Sequence, residues 1–164
     1  MEHDIVTRIA TPDDAEELAR LNGVFNRVFE PSRTLALRLE NTRQVETPIL
    51  AEMEGRVVGF AAVRVVPCVC YATPYAELTE LFVEEAWRRR GVGRALMEQA
   101  ENLAREKGAA SLLLLTGLGN AGAQAFYRAL GYADRHLAME KKLRFEEQIA
   151  KYQADSIEIS EGRQ

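Results

Sequence analysis

The chain is poor in cysteine. Cys68 and Cys70 are the only two in 164 residues. They sit one residue apart, which is not the CxxC spacing of redox or zinc sites, so no cysteine-built metal or redox centre is expected. Two free thiols, buried or half-buried, are the expected state. Long apolar runs are also missing. None approaches the roughly 18 residues that a membrane helix requires, so no membrane partner is expected. Charge of one sign is missing too: 21 Lys and Arg stand against 25 Asp and Glu, for a net charge of −4. That balance argues against general nucleic-acid or membrane binding. The first residues, MEHDIVTRIA, lack a basic segment followed by an apolar block, so no signal peptide is expected and the cytoplasm is the expected compartment. No internal repeat and no low-complexity stretch is visible. What is present is a globular composition, 47% hydrophobic and 28% charged. At this length it is sufficient for one domain with a real core.

Against that acidic background one basic run stands out. Residues 78 to 93 read LTELFVEEAWRRRGVG. A short apolar stretch, Leu78 to Val83, runs into Glu84-Glu85, then Arg88-Arg89-Arg90, then two glycines one residue apart. A helical pattern follows from Gly93 to Gly108. The first N–H groups of a helix lack partners inside it, and its dipole places partial positive charge there. Glycines let backbone approach a ligand that a Cβ would push away. A strand leading through such a turn into a helix is a device for holding phosphate. Arg88, Arg89, Arg90 and Arg94 add fixed charge.

The remaining pattern alternates strands and helices. Ile5 to Ile9 reads as a strand. Thr11 to Asp14 reads as a helix start, with Leu18, Leu21, Phe25, Val28 and Phe29 forming one apolar face and Pro31 ending it. Ser32 is expected to cap a second helix that buries Leu35 and Leu39. Pro48 is expected to open a strand over Ile49 to Met53, and Glu54-Gly55 to turn the chain back. A β-branched strand follows from Arg56 to Val66, where Gly59 marks a bulge or a close backbone approach. Ala76 to Val83 is the next strand. Leu96, Ala100 and Leu103 give the following helix its buried stripe. Ser111 to Thr116, SLLLLT, predicts a central strand buried on both faces. Asn120 is placed to cap a helix carrying Ala123, Phe126, Tyr127 and Leu130, which stops at Gly131. Tyr132 to Leu143 predicts a closing strand. The chain therefore divides into a domain over 1–143 and a tail over 144–164. In the tail, Phe145, Ile149 and Tyr152 mark an amphipathic helix, and SIEIS marks an edge strand. Helices laid over a sheet define a mixed α/β, or α+β, layer fold.

Two motifs stand at a fixed separation in this order of elements. Arg88-x-x-Gly91-x-Gly93 lies between a strand and a helix. Asn120-x-x-Ala123-x-x-Phe126-Tyr127, with Gly131-Tyr132 beyond, follows the apolar run. Together they resemble the GNAT N-acetyltransferase superfamily, over roughly Ile5 to Leu143. The resemblance implies a mostly antiparallel sheet with splayed central strands and helices on both faces. It implies acetyl-CoA, or another acyl-CoA, as co-substrate and no metal. Backbone amides from Arg88 through Arg89, Arg90, Gly91, Val92 and Gly93 to Arg94 match the family's pyrophosphate loop. Leu81, Phe82 and Val83 match the strand that lines the pantetheine arm and acyl carbonyl. Asn120 and Ala123 match positions near the pantetheine, and Tyr127 matches the residue beside the thioester sulfur.

Direct attack of an amine on a thioester needs one proton delivered to the leaving thiolate and one taken from the ammonium. A phenol is mostly protonated at neutral pH and can serve as the acid. Glu80 is the candidate base. Glu77 and a water are the alternatives, and strict strand alternation puts the two glutamates on opposite faces unless a bulge intervenes. The implied acceptor is a small-molecule or peptide amine, shaped by about Phe25–Arg43 and Cys68–Tyr75. A non-catalytic acyl-CoA sensor or partner subunit with the same fold is the other reading. A homodimer is left open, with the 157–159 strand as an edge for either chain.

Overall fold

The computed structural model describes residues 4–141. The chain forms two compact units, divided after Ala133. In the second, the described residues 134–141 are exposed and without regular secondary structure. The first unit holds the fold. Its elements are β1 (Val6–Ile9), α1 (Ala15–Asn26), α2 (Ser32–Thr42), β2 (Glu46–Met53), β3 (Arg56–Val66), β4 (Tyr75–Val83), α3 (Val92–Glu106), β5 (Leu113–Leu114) and α4 (Ala121–Ala129). Among the described residues the sheet runs in the order β1-β2-β3-β4-β5. Neighbours are antiparallel except β4 and β5, which are parallel.

Period-two alternation splits the sheet's side chains into two cores. On one face Leu50, Phe60 and Phe82 meet Leu18 and Leu21 of α1 and Leu35 and Leu39 of α2. On the other Ile49, Ala61, Val63 and Leu78 meet Val92, Leu96, Met97, Ala100 and Leu103 of α3. Helices therefore cover both faces, as the sequence pattern and the family resemblance imply. A fully buried leucine such as Leu21 or Leu96 contributes about 1.5–3 kcal/mol by leaving water.

Irregularities in the ladder matter more here than the regular pairing. Ala51 faces Gly59 while Glu52 faces Val57, so β3 bulges at Val58. A Cβ at Gly59 would lie 2.7 Å from the carbonyl oxygen of Phe82, so both readings of this glycine hold. Gly59→Ala is expected to cost about 1–3 kcal/mol, because backbone rather than a flexible side chain would have to move. A lowered urea midpoint at unchanged slope checks this.

The start of the chain is pinned by charge. Arg8 of β1 donates two hydrogen bonds to the Asp14 carboxylate, at 2.7 and 2.8 Å, and a third to Glu52 of β2 at 2.6 Å. Asp14 also accepts from the Thr11 backbone and hydroxyl. These bonds, Arg8's above all, hold the Asp14 carboxyl below its ordinary 3.8, at about 2. A carboxylate depressed in the folded state adds stability above its unfolded pKa and loses it as pH falls through the folded one. Stability should therefore drop between pH 3.8 and about 2. The contribution is on the order of 1 kcal/mol after solvent screening. Acid titration of the unfolding midpoint, with Asp14→Asn lacking that component, checks it.

Several expectations are corrected. α1 stops at Asn26, because Arg27 takes left-handed backbone at φ 56°. Val28 and Phe29 thus leave the helical stripe and are exposed. Ser32 is the first residue of α2 rather than its cap, which is Pro31. β2 begins at Glu46, so Pro48 lies inside it, and its carbonyl accepts the Ala10 N–H at 2.9 Å. Cys70 is exposed, although Cys68 is half-buried. Only Leu113 and Leu114 of the expected 111–116 strand pair with β4, and Leu115 is exposed. No strand forms over residues 132–141, where the closing strand was expected. An apolar run therefore ends up at an edge of the described sheet. The expected tail helix and edge strand lie outside the described residues.

Candidate active site

The glycine-spaced turn forms as the sequence pattern requires. After β4 the chain makes a short 3₁₀ turn, Glu85–Trp87, then passes through the arginines into α3. Gly91 caps that helix at φ 91°, a conformation that L side chains rarely adopt. The bond from Ala95 N–H to the Gly91 carbonyl, 3.0 Å, is the helix's first. The N–H groups of Val92, Gly93 and Arg94 are thus free of helical partners. No acidic residue occupies the first turn of α3. The cradle therefore suits a pyrophosphate, with its backbone donors and the helix dipole both facing the anion.

The arginine side chains divide. Arg88 Nε donates to the Val83 carbonyl at 2.9 Å, and Arg90 lies over the Trp87 ring, 5.0 Å from its centre. Both brace the loop from within. Arg89, at φ 64°, and Arg94 are exposed and make no such contact among the described residues. Val92 is buried, so only its backbone faces outward.

The cradle adjoins α4. A Cβ at Gly93 would lie 3.4 Å from the Phe126 ring, so the two helices meet closely at this glycine. Phe126 and Tyr127 sit side by side, ring centres 5.3 Å apart, and Tyr127 meets Tyr132 edge-on at 6.0 Å. Both pack on the α3 face with Leu81 and Val83. Burial pushes the Tyr127 phenol above its ordinary range, and its hydroxyl has no partner among the described residues. Tyr132 differs: it donates to Glu101 at 3.1 Å, and burial followed by that carboxylate raises its phenol further. Asn120 Oδ1 accepts the Ala123 N–H at 3.1 Å, so this motif pair caps α4 and aims Tyr127.

β4 and β5 pair only through Glu77–Leu113 and Leu78–Leu114. From Thr79 to Val83 no described strand lies on that side of β4. The splay that the family resemblance implies is therefore present, and Tyr127 packs against the core on the α3 face.

The base candidates lie across the sheet. Ala62 faces Glu80 while Val63 faces Leu78, so Thr79 is a bulge. Glu77 pairs with Arg64 and Glu80 with Ala62, two residues apart on β3. The bulge thus turns both glutamates onto the α1/α2 face, against strict alternation. Thr79 is held there by hydrogen bonds to Glu46 at 2.9 Å and to the Ala62 carbonyl at 3.3 Å. Phe82 shares this face and is buried against Phe60, so it can offer the donor side only its backbone.

Three contributors were given no individual role by sequence reasoning. Asn26 donates to Glu80 at 3.3 Å. Phe25 stacks on Phe82, ring centres 5.1 Å apart. Arg20 bonds Glu17, Glu84 and the Val57 carbonyl, tying α1 to the end of β4. Phe25 carried a signal as a member of the α1 stripe and, with Asn26, as part of the Phe25–Arg43 segment expected to shape the acceptor site. The loop after β3 lines a cavity of about 430 Å³ with Gln44 and Lys107. Among the described residues no cluster of His, Cys, Asp or Glu could hold a metal, and no helix is long and apolar enough to cross a membrane.

The profile of the acetyltransferase (GNAT) family matches residues 15–132, and the chain belongs to that family. An uncharacterised N-acetyltransferase of Methanocaldococcus jannaschii is 33% identical over 94 residues, 54% of this chain and 39% of that protein. An IAA acetyltransferase of Azospirillum brasilense is 37% identical over 87 residues, 53% of this chain and 54% of that protein. The chain thus matches about two-fifths to a half of these relatives' length. Among solved structures, an aminoglycoside N-acetyltransferase in complex with CoA superposes with a TM-score of 0.76 at 21% identity. That match covers 88% of this chain and 97% of that one, and the likeness is one of fold.

Proposed function

We propose that the chain transfers an acetyl group from acetyl-CoA to an amine by direct attack with both substrates bound. One observation carries this reading: Gly93 of the anion cradle touches Phe126, the neighbour of Tyr127. The turn proposed as the anion site is thus close to a phenol with no described partner, and Val83 of β4 is near the same glycine, 3.9 Å from a Cβ built there. The backbone N–H groups of Val92, Gly93 and Arg94 would hold the pyrophosphate, with Arg89 and Arg94 adding charge. The backbone of Leu81 to Val83 would line the pantetheine arm. The acceptor nitrogen bonds to the acyl carbon as the carbon–sulfur bond breaks. Tyr127 gives its proton to the leaving sulfur, and Glu80, directly or through water, takes one from the acceptor's ammonium.

The two proton-transfer groups occupy opposite faces of β4. Donor and acceptor can therefore approach its open edge from different sides without exchanging places. The test is appearance of acetylated amine and free CoA when purified protein meets acetyl-CoA and a panel of primary amines. Saturable acetyl-CoA binding with no turnover across the panel would replace catalysis with a sensor or partner-subunit role. Failure to bind acetyl-CoA at millimolar concentration would remove both readings.

A further inference from the structure

The face of the sheet that carries Glu80 shows an uneven balance of charge. Three carboxylates cluster near Arg64 on it: Glu46, Glu77 and Glu80. Arg64 sits between the first two, 3.3 Å from Glu46 and 3.9 Å from Glu77. Glu80, half-buried, has no cationic partner among the described residues. The Asn26 amide touches it at 3.3 Å, and that amide is itself held by Asn22 Oδ1 at 2.9 Å. One arginine against three carboxylates leaves this part of the face net negative, and Glu80 is the carboxylate without a cationic partner, next to the open stretch of β4.

Immediately beside it the face is aromatic. Phe82 is two residues along β4 on the same face, buried with Phe60. Phe25 covers both, stacked on Phe82 and edge-on to Phe60 with ring centres 6.1 Å apart. Phe25 itself stays 40% exposed, so the cluster presents one ring to a ligand. Consecutive residues at the end of α1, Phe25 and Asn26, thus sit over consecutive same-face positions of β4, Phe82 and Glu80. The last carbonyls of α1 add partial negative charge at this point.

We infer that the acceptor is a singly charged primary amine on an aromatic or apolar body, its ammonium against Glu80 and its carbon skeleton on the Phe25 ring. This rests on the acetyl-transfer reading of the same site. Glu80, the carboxylate of the three that no described cation contacts, is the one placed to take an ammonium. A polyamine or an aminoglycoside would bring further cations toward Glu46 and Glu77, where they would meet the like charge of Arg64 already seated between the two. An acidic acceptor would meet Glu80 as a like charge. The ring supplies what a small amine otherwise lacks, an apolar surface and a cation-attracting π face.

The experiment compares 2-phenylethylamine, n-butylamine, spermidine and kanamycin as acceptors at saturating acetyl-CoA, with acetylated product measured by mass spectrometry. Expected is a kcat/KM for 2-phenylethylamine at least about tenfold above those of spermidine and kanamycin. Phe25→Ala should raise KM for 2-phenylethylamine about tenfold, with a smaller rise for butylamine, whose chain covers less of the ring. Phe25→Leu, which keeps apolar packing on Phe82, should recover part of the loss. A thermal midpoint for each variant separates lost contact from lost fold. Preference for spermidine or kanamycin, or an equal loss with every amine in both variants, would overturn the inference while leaving acetyl transfer standing. Acetyl-CoA binding with no amine acetylated would overturn both.

Discussion

Gly91→Asp should abolish acetyl-CoA binding, lowering affinity at least about 100-fold, or roughly 2.7 kcal/mol. The substitution acts in two ways. Gly91 holds φ 91°, where any side chain is strained, at a cost of about 1–3 kcal/mol. The larger effect is electrostatic. A carboxylate at this position would accept the free N–H groups of α3's first turn, much as an aspartate cap does. The helix keeps its donors satisfied, but by an anion of the protein's own where the pyrophosphate belongs. Gly91→Ala separates the two effects. It keeps the strain and adds a methyl that would lie 3.4 Å from Ile5 Cδ1. It adds no charge, and should lose less affinity. Arg89→Ala should only weaken binding, by about threefold to tenfold, since an exposed charge is screened. Calorimetric titration with acetyl-CoA reads all three. Binding by Gly91→Asp within threefold of the unsubstituted protein would show that the cradle is not the anion site.

Tyr127→Phe should lower kcat about 100-fold while leaving acetyl-CoA affinity nearly unchanged. The substitution removes one oxygen. The ring keeps its contacts with Phe126 and Tyr132, and the hydroxyl has no described partner to orphan, so the fold should hold. The pH dependence gives a second reading. Burial raises the Tyr127 phenol above its ordinary value, which is about 10. An acid with a raised pKa stays protonated further into alkali. Loss of activity through Tyr127 ionisation should therefore lie above pH 10, and no alkaline limb below that point should belong to this residue. A variant retaining most of its kcat would remove Tyr127 from proton transfer and leave it as packing between α4 and the sheet.

Much of this architecture is legible in the sequence where one element decides its own structure. Leu18 and Leu21, Leu35 and Leu39, and Leu96, Ala100 and Leu103 mark buried faces by helical spacing alone. Asn120 and Gly131 delimit α4, and Glu54-Gly55 turns the hairpin. Legibility ends where two elements decide jointly. The Thr79 bulge is set by register against β3, so the shared face of Glu77 and Glu80 cannot be read from ELTE. Four consecutive leucines announce apolar burial without saying how many strands will flank them, and β5 pairs for two residues. Helix α1 ends at Arg27 through a left-handed residue that carries no glycine signal. Phe25, Phe60 and Phe82 belong to three different elements, and only the fold brings them together.

The bulge at Thr79 also bears on how the folded chain coexists with its neighbours. From Thr79 to Val83 no described strand pairs with one side of β4, and backbone unpaired at a strand edge is a template onto which another chain can pair. A regular, flat edge at this point would invite sheet growth between molecules. A bulge increases local twist and breaks the repeat that such pairing needs. A bound ligand running along the edge would cover the same groups and draw the population toward the native state by mass action. The irregularity that turns Glu77 and Glu80 to one face thus also works against self-association, on a strand whose other side no described strand covers beyond Leu78.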